Sequence, residues 1–180
     1  MLPLGTPAPD FNLPNVVSET NLSLKELASD KATVIMFICN HCQYVIHILD
    51  HLLKIAKEYQ AKGIHFVAIS SNDVNTYPND SPEKMKIHAE KYGFPFPYLY
   101  DESQKVAKAY KAACTPDFFV FDDQLTCVYR GRFDGSKPSN QTPVTGEDLR
   151  NALDNILEGK PISSEQHPSM GCNIKWRNAN

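Results

Sequence analysis

Two cysteines that are separated by two residues, Cys39 and Cys42, are the side chains of this sequence best suited to chemistry. A thiolate attacks disulfide bonds, and two thiols at this spacing can close into a disulfide and open again. The free N–H groups at the first turn of a helix favour the ionised sulfur. The pair therefore indicates redox exchange, provided that the chain places it at such a helix end.

The segments on either side of the pair predict that helix end. Residues 33–38 form an apolar run rich in β-branched side chains, which predicts a strand buried on both faces. From about Gln43 to Lys62, apolar residues recur at steps of three and four, which predicts a long helix that ends at Gly63. Cys39 then lies where a strand ends and a helix begins, and we expect its sulfur to be the thiolate.

The remaining pattern predicts an α/β fold with one mixed sheet. Residues 64–70 predict a second buried strand, joined to the first by a right-handed parallel crossover. Residues 117–121 and 125–130 predict an antiparallel hairpin. Helix starts are predicted at three places, which are Ser81-Pro82, a capping box over residues 101–104, and residues 145–148. Met85, Ala89 and Tyr92 are expected on the inner face of the helix after Ser81.

Size and composition limit the classes of protein that fit. The 180 residues are 42% hydrophobic and fit one domain, which we divide into an N-terminal extension (1–31), a core (32–160) and a tail (161–180). The net charge of −3 and the lack of a basic run predict neither a nucleic-acid partner nor a membrane partner. The N-terminus does not resemble a signal peptide, so we expect a cytoplasmic protein, although a mature secreted chain would look the same.

Several motifs resemble the thioredoxin superfamily. Cys39-x-x-Cys42 at a strand–helix junction, followed by Thr115-Pro116 directly before a strand, is similar to the superfamily's redox site. The N-terminal segment over residues 5–13 resembles the redoxin branch. Peroxiredoxin-like thioredoxin-family proteins resemble this chain over residues 37–42, with the CNHC motif, 98–102, 114–119 and 171–176. The resemblance implies a thioredoxin fold, with three α/β/α layers around a central mixed sheet.

The resemblance also implies roles for the site residues. Cys39 would be the exposed nucleophile, and Cys42 would resolve the mixed disulfide. Thr115-Pro116 is the candidate cis peptide bond, and the backbone of Thr115 would pair with an extended substrate strand. His41 is either a solvated loop residue or an imidazole that stabilises the Cys39 thiolate and makes the disulfide easier to reduce.

The chain departs from the thioredoxin pattern at three positions. Ile38 stands in place of the usual tryptophan, Thr33 in place of a buried aspartate, and Gln43 in place of a proline. The missing proline leaves the setting of the first helical turn open.

Three further cysteines and two arginines are also candidates. Cys114 lies two residues before Pro116, where it either packs or comes close to Cys39. Cys172, in the aperiodic tail, is either a packing residue or a third thiol that folds back to resolve or store the disulfide. We expect Cys127 to pack in a strand. Arg130 and Arg132 are expected to be solvated charges at a strand end, with a place beside the reactive sulfur as the alternative.

The function that these features favour is thiol–disulfide exchange, with no cofactor and no metal. The expected partners are a disulfide-containing protein or small thiol, and an electron donor such as a thioredoxin reductase or glutathione system. A thiol peroxidase is the alternative, but the offsets that hold proline and threonine in peroxiredoxins hold Ile35 and Cys39 here if Cys42 reacts. A metal site would combine Cys39 and Cys42 with one of His41, His47 or His51. A non-catalytic binding module is the last alternative.

Overall fold

The structure is a computed structural model that describes residues 1–178. Its strands are β1 (Asn12–Pro14), β2 (Asn21–Ser23), β3 (Thr33–Phe37), β4 (His65–Ser70), β5 (Tyr98–Tyr100), β6 (Cys114–Thr115), β7 (Asp117–Phe121), β8 (Cys127–Gly131) and β9 (Cys172–Asn173). Its helices are α1 (Leu24–Leu27), α2 (Gln43–Gln60), α3 (Pro82–Tyr92), α4 (Lys105–Ala109) and α5 (Glu147–Leu157), with a 3₁₀ turn over Pro78–Asp80.

A five-stranded sheet with the strand order β5-β4-β3-β7-β8 forms the middle of the fold. β3 is parallel to β4 and β4 is parallel to β5, whereas β7 runs antiparallel to both β3 and β8. Every residue of β3 is buried, because the strand has a neighbour on each side and a packed layer on each face. The predicted mixed sheet, closed by an antiparallel hairpin, is confirmed.

Helices cover both faces of this sheet. Side chains alternate along β3, so Val34 and Met36 point to one face, and Ile35 and Phe37 point to the other. Helices α2, α3 and α5 pack on the first face, and α1 and α4 pack on the second. The predicted three-layer α/β/α architecture is confirmed.

Helices α2 and α3 follow the sequence pattern closely, with one exception. The predicted apolar stripe of α2 is buried, and Gly63 ends that segment with a left-handed φ of 92°. The Ser81 side chain caps α3, and Gly93 follows its last residue in the left-handed conformation, as predicted. Tyr92 was expected to face the core, but it is 39% exposed and lies against His88 in the last turn of α3.

The start of α4 differs from the predicted capping box. Gln104 was expected to bond back to Asp101, but its amide instead donates to the carbonyl oxygens of Ser71 and Lys175, at 2.7 Å and 2.9 Å. The helix therefore begins at Lys105, three residues later than a capping box with Asp101 as its N-cap would start it. The buried Asp101 carboxylate still accepts two N–H groups from the first turn of α4.

The two ends of the chain pack against the sheet. Residues 1–31 contain β1, β2 and α1, and β1 and β2 pair antiparallel. The tail returns to the end of the sheet that carries the cysteine pair, where β9 pairs antiparallel with β6. In the described part of the chain, no helix has both the length and the apolar character needed to cross a bilayer.

Candidate active site

The loop between β3 and α2 carries both cysteines of the pair. Helix α2 begins at Gln43, and Cys42 is its N-cap residue, with extended backbone angles (φ −73°, ψ 124°). The predicted start of the helix at about Gln43 is therefore confirmed, and Cys39 lies in the loop, two residues after the end of β3 and four before α2. Cys42 is the cysteine beside the positive end of the α2 dipole.

Hydrogen bonds from distant residues hold this loop out of the helix. The Asn40 N–H donates to the Asp80 carboxylate (3.0 Å), and the Asn40 side chain donates to the Asn79 carbonyl oxygen (2.9 Å). The Tyr98 hydroxyl donates to the Asn40 side-chain oxygen at 2.8 Å. These bonds fix Asn40 between the two cysteines, so regular helix starts only after Cys42.

Both sulfurs face Thr115, which stands in the two-residue strand β6. Cys39 Sγ lies 3.5 Å from Thr115 Oγ1, and Cys42 Sγ lies 3.3 Å from the Thr115 carbonyl oxygen. The Thr115–Pro116 peptide bond is cis. Cys39 and Cys42 are each 2% exposed. The structure thus brings the predicted residues together, but it buries Cys39, which the resemblance implied would be exposed.

The tail strand β9 occupies the edge of β6 at which a substrate strand was expected. Thr115 pairs with Cys172, and Cys114 pairs with Asn173. This register places Cys172 Sγ 2.7 Å from Cys42 Sγ. Cys172 is partly exposed. The site therefore contains three sulfurs, two from the CxxC motif and one from the tail.

The surroundings favour the ionised form of Cys42 rather than that of Cys39. Hydrogen bonding from the Cys39 thiol, with a further contribution from Cys172, lowers the pKa of Cys42 to about 4. The hydrogen bond that it gives to Cys42, its burial and the Asp80 carboxylate all raise the pKa of Cys39 above its ordinary value. Burial also raises the pKa of Cys172. The directions in this arrangement therefore favour a thiolate at Cys42, and the assignment of the thiolate to Cys39 stays a prediction.

His41 is held by a buried aspartate that the sequence did not single out. His41 Nδ1 lies 2.8 Å from the Asp80 carboxylate, and the imidazole is stacked on Tyr77. Asp80 is 0% exposed and also accepts a hydrogen bond from the Asn72 side chain. Because this negative charge accompanies His41, it opposes the stabilisation of a Cys39 thiolate that we expected from the imidazole.

Among residues 1–178, one cluster has the composition of a metal site. Cys39, His41 and Asp80 each offer one ligand atom, and these atoms lie within 4.8 Å of one another. This set differs from the predicted one, because it contains Asp80 in place of Cys42 and includes neither His47 nor His51. Three such ligands would suit zinc with an open fourth position, but the Asp80 oxygens already hold the loop in place.

The other candidate residues lie outside the chemistry. Cys114 is buried, its thiol lies near the Pro116 carbonyl oxygen, and burial raises its pKa to about 12. Cys127 is 1% exposed in β8, which matches the predicted packing role. Arg130 bonds to the Leu2 carbonyl oxygen and to Gln166. Arg132 pairs with Asp148 at 2.6 Å, so both arginines are engaged away from the sulfurs.

Comparison with known proteins agrees with this geometry. Residues 4–130 match the AhpC/TSA family. A search of curated proteins gave no match.

Solved structures share the whole fold of this chain. An uncharacterized conserved protein from Geobacillus kaustophilus is 57% identical, with 100% of this chain and 95% of that chain covered and a TM-score of 0.98. A hypothetical protein from Sinorhizobium meliloti 1021 is 45% identical, with 99% and 97% covered and a TM-score of 0.96. A putative thiol:disulfide interchange protein DsbE from Chlorobium tepidum is 19% identical, with 87% and 99% covered and a TM-score of 0.68, a likeness of fold alone. The chain has the thioredoxin fold.

Proposed function

This chain belongs to the AhpC/TSA family, and we propose that it is a thiol–disulfide oxidoreductase whose redox centre is the pair Cys39 and Cys42. The observation that supports this most strongly is the position of both sulfurs against one residue, with Cys39 Sγ 3.5 Å from the Thr115 hydroxyl and Cys42 Sγ 3.3 Å from the Thr115 carbonyl oxygen. Two cysteines of one short loop that face the same residue are placed for a single disulfide, which reversible exchange requires.

The pKa directions indicate the order of attack. The lowered pKa of Cys42, beside the N-terminus of α2, favours its thiolate, and the raised pKa of Cys39 favours its thiol. We therefore place the first attack at Cys42 and the resolving step at Cys39, the reverse of the order that the resemblance implied.

The reaction balances as a two-electron exchange. The Cys42 thiolate attacks one sulfur of a substrate disulfide. The substrate S–S bond breaks, and its electron pair leaves with the other sulfur, which takes up a proton. Cys39 then loses its proton and attacks the Cys42 sulfur of the mixed disulfide, so that the Cys39–Cys42 bond forms and the second substrate thiol is released. Asp80 and Asn40 keep the loop in position during both steps.

The proposed substrate is a disulfide in a protein or in a small thiol such as oxidised glutathione. Return to the reduced form requires two electrons from a thiol system, for which glutathione or a thioredoxin reductase pathway has the right chemistry. Because both sulfurs are buried, we expect the site to accept a disulfide in a small molecule or a flexible segment more readily than one in the interior of a folded protein.

The test of the pair uses a background in which the tail sulfur is absent. Reduced Cys172→Ser protein is mixed with oxidised glutathione, quenched in acid and digested with trypsin, which leaves Cys39 and Cys42 together in the peptide 32–54. We expect an internal disulfide in that peptide. It should be lost when either cysteine is also changed to serine and retained when Cys127 is changed. Free thiols throughout peptide 32–54 would contradict the proposal.

The order of attack is tested by trapping. When Cys39 and Cys172 are both serine, a glutathione adduct should accumulate on Cys42. When Cys42 and Cys172 are serine, less adduct should form on Cys39, because burial and the Asp80 carboxylate still raise its pKa in the absence of the Cys42 thiol. Preferential accumulation on Cys39 would restore the opposite order while leaving the pair itself intact.

A thiol peroxidase is the second candidate function. The observation that favours it is the position of Cys42, which is an N-cap residue with a lowered pKa in a member of the AhpC/TSA family. Against it, the preceding offsets hold Ile35 and Cys39, and Arg130 and Arg132 bond elsewhere. With dithiothreitol present to regenerate the thiols, consumption of hydrogen peroxide in molar excess over the protein, lost in Cys42→Ser, would favour this candidate. Consumption no faster than that by dithiothreitol alone would favour the oxidoreductase.

A further inference from the structure

The tail holds Cys172 at the redox pair by contacts on both sides. Before it, the Ser169 hydroxyl donates to the Asp117 carboxylate at 2.6 Å. After it, Ile174 is 1% exposed in the core, and the Lys175 N–H donates to the Asn72 side chain at 2.9 Å. The position of the sulfur is therefore set by the fold and not by a loose chain end.

Burial distinguishes the three sulfurs of the site. Cys39 and Cys42 are each 2% exposed, whereas Cys172 is partly exposed and lies 2.7 Å from Cys42 Sγ. Because β9 fills the edge of β6, a molecule from solution meets Cys172 before it meets either residue of the pair.

We propose that Cys172 is a third redox-active thiol, which exchanges a disulfide with Cys42 and presents it to thiols in solution. This inference rests on the proposed function, because the oxidised Cys39–Cys42 pair supplies the disulfide. It assigns to the tail a catalytic residue and not only a packing role. The thiols that it would meet are small ones such as glutathione, or a flexible thiol-bearing segment of a protein.

The exchange balances without a further oxidant. The Cys172 thiolate attacks the Cys42 sulfur of the Cys39–Cys42 disulfide. A bond forms between Cys42 and Cys172, the bond between Cys39 and Cys42 breaks, and the electron pair goes to the Cys39 sulfur, which takes up a proton. An external thiolate then attacks the Cys172 sulfur and releases Cys42 as the thiolate. A second external thiol removes the first one from Cys172 as a disulfide, which completes the two-electron reduction.

Cys114, a cysteine close to Cys172, provides a control for the proposed role of the tail sulfur. Cys114 precedes Thr115 in β6 and pairs with Asn173, so it lies in the same two-strand ladder as Cys172. Its thiol nevertheless lies near the Pro116 carbonyl oxygen, and it is 8% exposed. Cys114→Ser is therefore a matched control, since it removes a nearby buried thiol that lacks the contact with Cys42.

The experiment is disulfide mapping of the whole chain. Trypsin places Cys42 in peptide 32–54 and Cys172 in peptide 151–175. In Cys39→Ser protein treated with oxidised glutathione, we expect these two peptides to be joined by a disulfide in most molecules. Cys114→Ser added to that variant should leave the joined peptides unchanged, and Cys172→Ser should abolish them. In oxidised wild-type protein, we expect the joined peptides together with the internal disulfide of peptide 32–54.

Two outcomes would overturn the inference. One is a Cys39→Ser variant, folded by circular dichroism, that gives only glutathione adducts or free thiols. The other, which needs no variant, is oxidised wild-type protein in which the disulfide is confined to peptide 32–54. That second outcome would leave the Cys39–Cys42 exchange standing. A third combination is also informative. If peptides 32–54 and 151–175 are joined in proteins that keep Cys172, but Cys172→Ser protein forms no internal disulfide, then the proposed Cys39–Cys42 pair is wrong and the link between Cys42 and the tail stands.

The rate of reduction gives an independent readout. Oxidised wild-type protein should be reduced by glutathione faster than oxidised Cys172→Ser protein, in which the disulfide is confined to the buried pair. Equal rates would show that external thiols reach the pair directly and would remove the presenting role of Cys172.

Discussion

Replacing Gly171 with alanine tests whether the tail strand holds Cys172 against Cys42. The Cβ of an alanine would lie 2.0 Å from the carbonyl oxygen of Thr115 and 2.6 Å from its carbonyl carbon. Both are backbone atoms of β6, so no side-chain rotation relieves the clash. The φ of Gly171 lies outside the left-handed region, so the effect of alanine is steric.

The structure sets the size of the effect. A Cβ essentially never comes within 3.0 Å of such a neighbour, so β9 must move back by about 1 Å or more. Overfilling of this kind costs about 1–3 kcal/mol of unfolding free energy. For a domain of this size, each kcal/mol lowers Tm by about 2–4 °C. The displacement also separates Cys172 from Cys42 and opens the site to solvent.

Alkylation of the reduced protein with iodoacetamide measures that opening. In Gly171→Ala we expect faster labelling of peptides 32–54 and 151–175, with Cys127 labelled at the wild-type rate. Gly135→Ala is the matched control, because the three nearest neighbours of its Cβ would be side-chain atoms of Arg132 at 3.7 Å or more, and its φ is not left-handed. If Gly171→Ala labels and melts like wild type, the tail does not pack as described.

Three further predictions concern charge. The Cys39 hydrogen bond lowers the pKa of Cys42 to about 4, so the alkylation rate of Cys42 should change little between about pH 6 and pH 8. The pKa of Cys39 is raised, so its alkylation rate should rise about tenfold per pH unit over the same range. Alkylation rates that follow the titration of a free thiol at both sulfurs would contradict this prediction. Asp80→Asn removes a negative charge that lies within 4.8 Å of Cys39 Sγ and raises the pKa of Cys39. The substitution should therefore speed the alkylation of Cys39 at fixed pH by at least about tenfold. Glu83→Gln, at an exposed position, is the control. Unchanged labelling in Asp80→Asn would exclude that electrostatic effect. Burial raises the pKa of Asp117 from 3.8 to about 6, so between these pH values the folded state keeps a proton that the unfolded state loses. The free energy of unfolding should therefore fall by about 3 kcal/mol as pH rises from about 4 to above 6. Denaturant unfolding of Asp117→Asn should lack this decline, and an equal pH dependence in both proteins would refute the assignment.

The fold could be predicted where the relevant interactions are local or periodic. The apolar run before Cys39 and the stripe of α2 each identify one element. Ser81 and Gly93 identify the ends of α3, because a serine cap and a left-handed glycine act within a few residues. The α/β class followed from these elements and from the hairpin of β7 and β8.

The course of the loop between β3 and α2 could not be predicted, because it depends on contacts that are distant in sequence. Asp80, forty positions further along the chain, accepts a hydrogen bond from the Asn40 N–H and so helps to hold the cysteine loop in place. The same kind of competition removed the predicted capping box of α4, where the Gln104 amide bonds to Ser71 and to the tail. Asp80 itself gave only a weak signal, as one of several polar residues in a loop.

The third sulfur was suggested by the sequence but could not be placed by it. β9 has only two residues, too few for a periodic pattern, and its partner strand β6 is more than fifty residues away. The requirement for glycine at position 171 is also visible only when the backbone of Thr115 lies beside it. The proposed thiolate at Cys42 rests mainly on its contact with Cys39 and in smaller part on that with Cys172, so it too required the folded arrangement.

A redox titration of the whole protein measures whether the cysteine pair exchanges a disulfide. The protein is equilibrated in glutathione buffers of graded potential, quenched in acid, and analysed by mass spectrometry with disulfide mapping. We expect one reversible two-electron transition that forms a disulfide at Cys42, while Cys114 and Cys127 stay reduced. Thiols at Cys39 and Cys42 that remain free in the most oxidising buffer, or that collect only separate glutathione adducts, would contradict it.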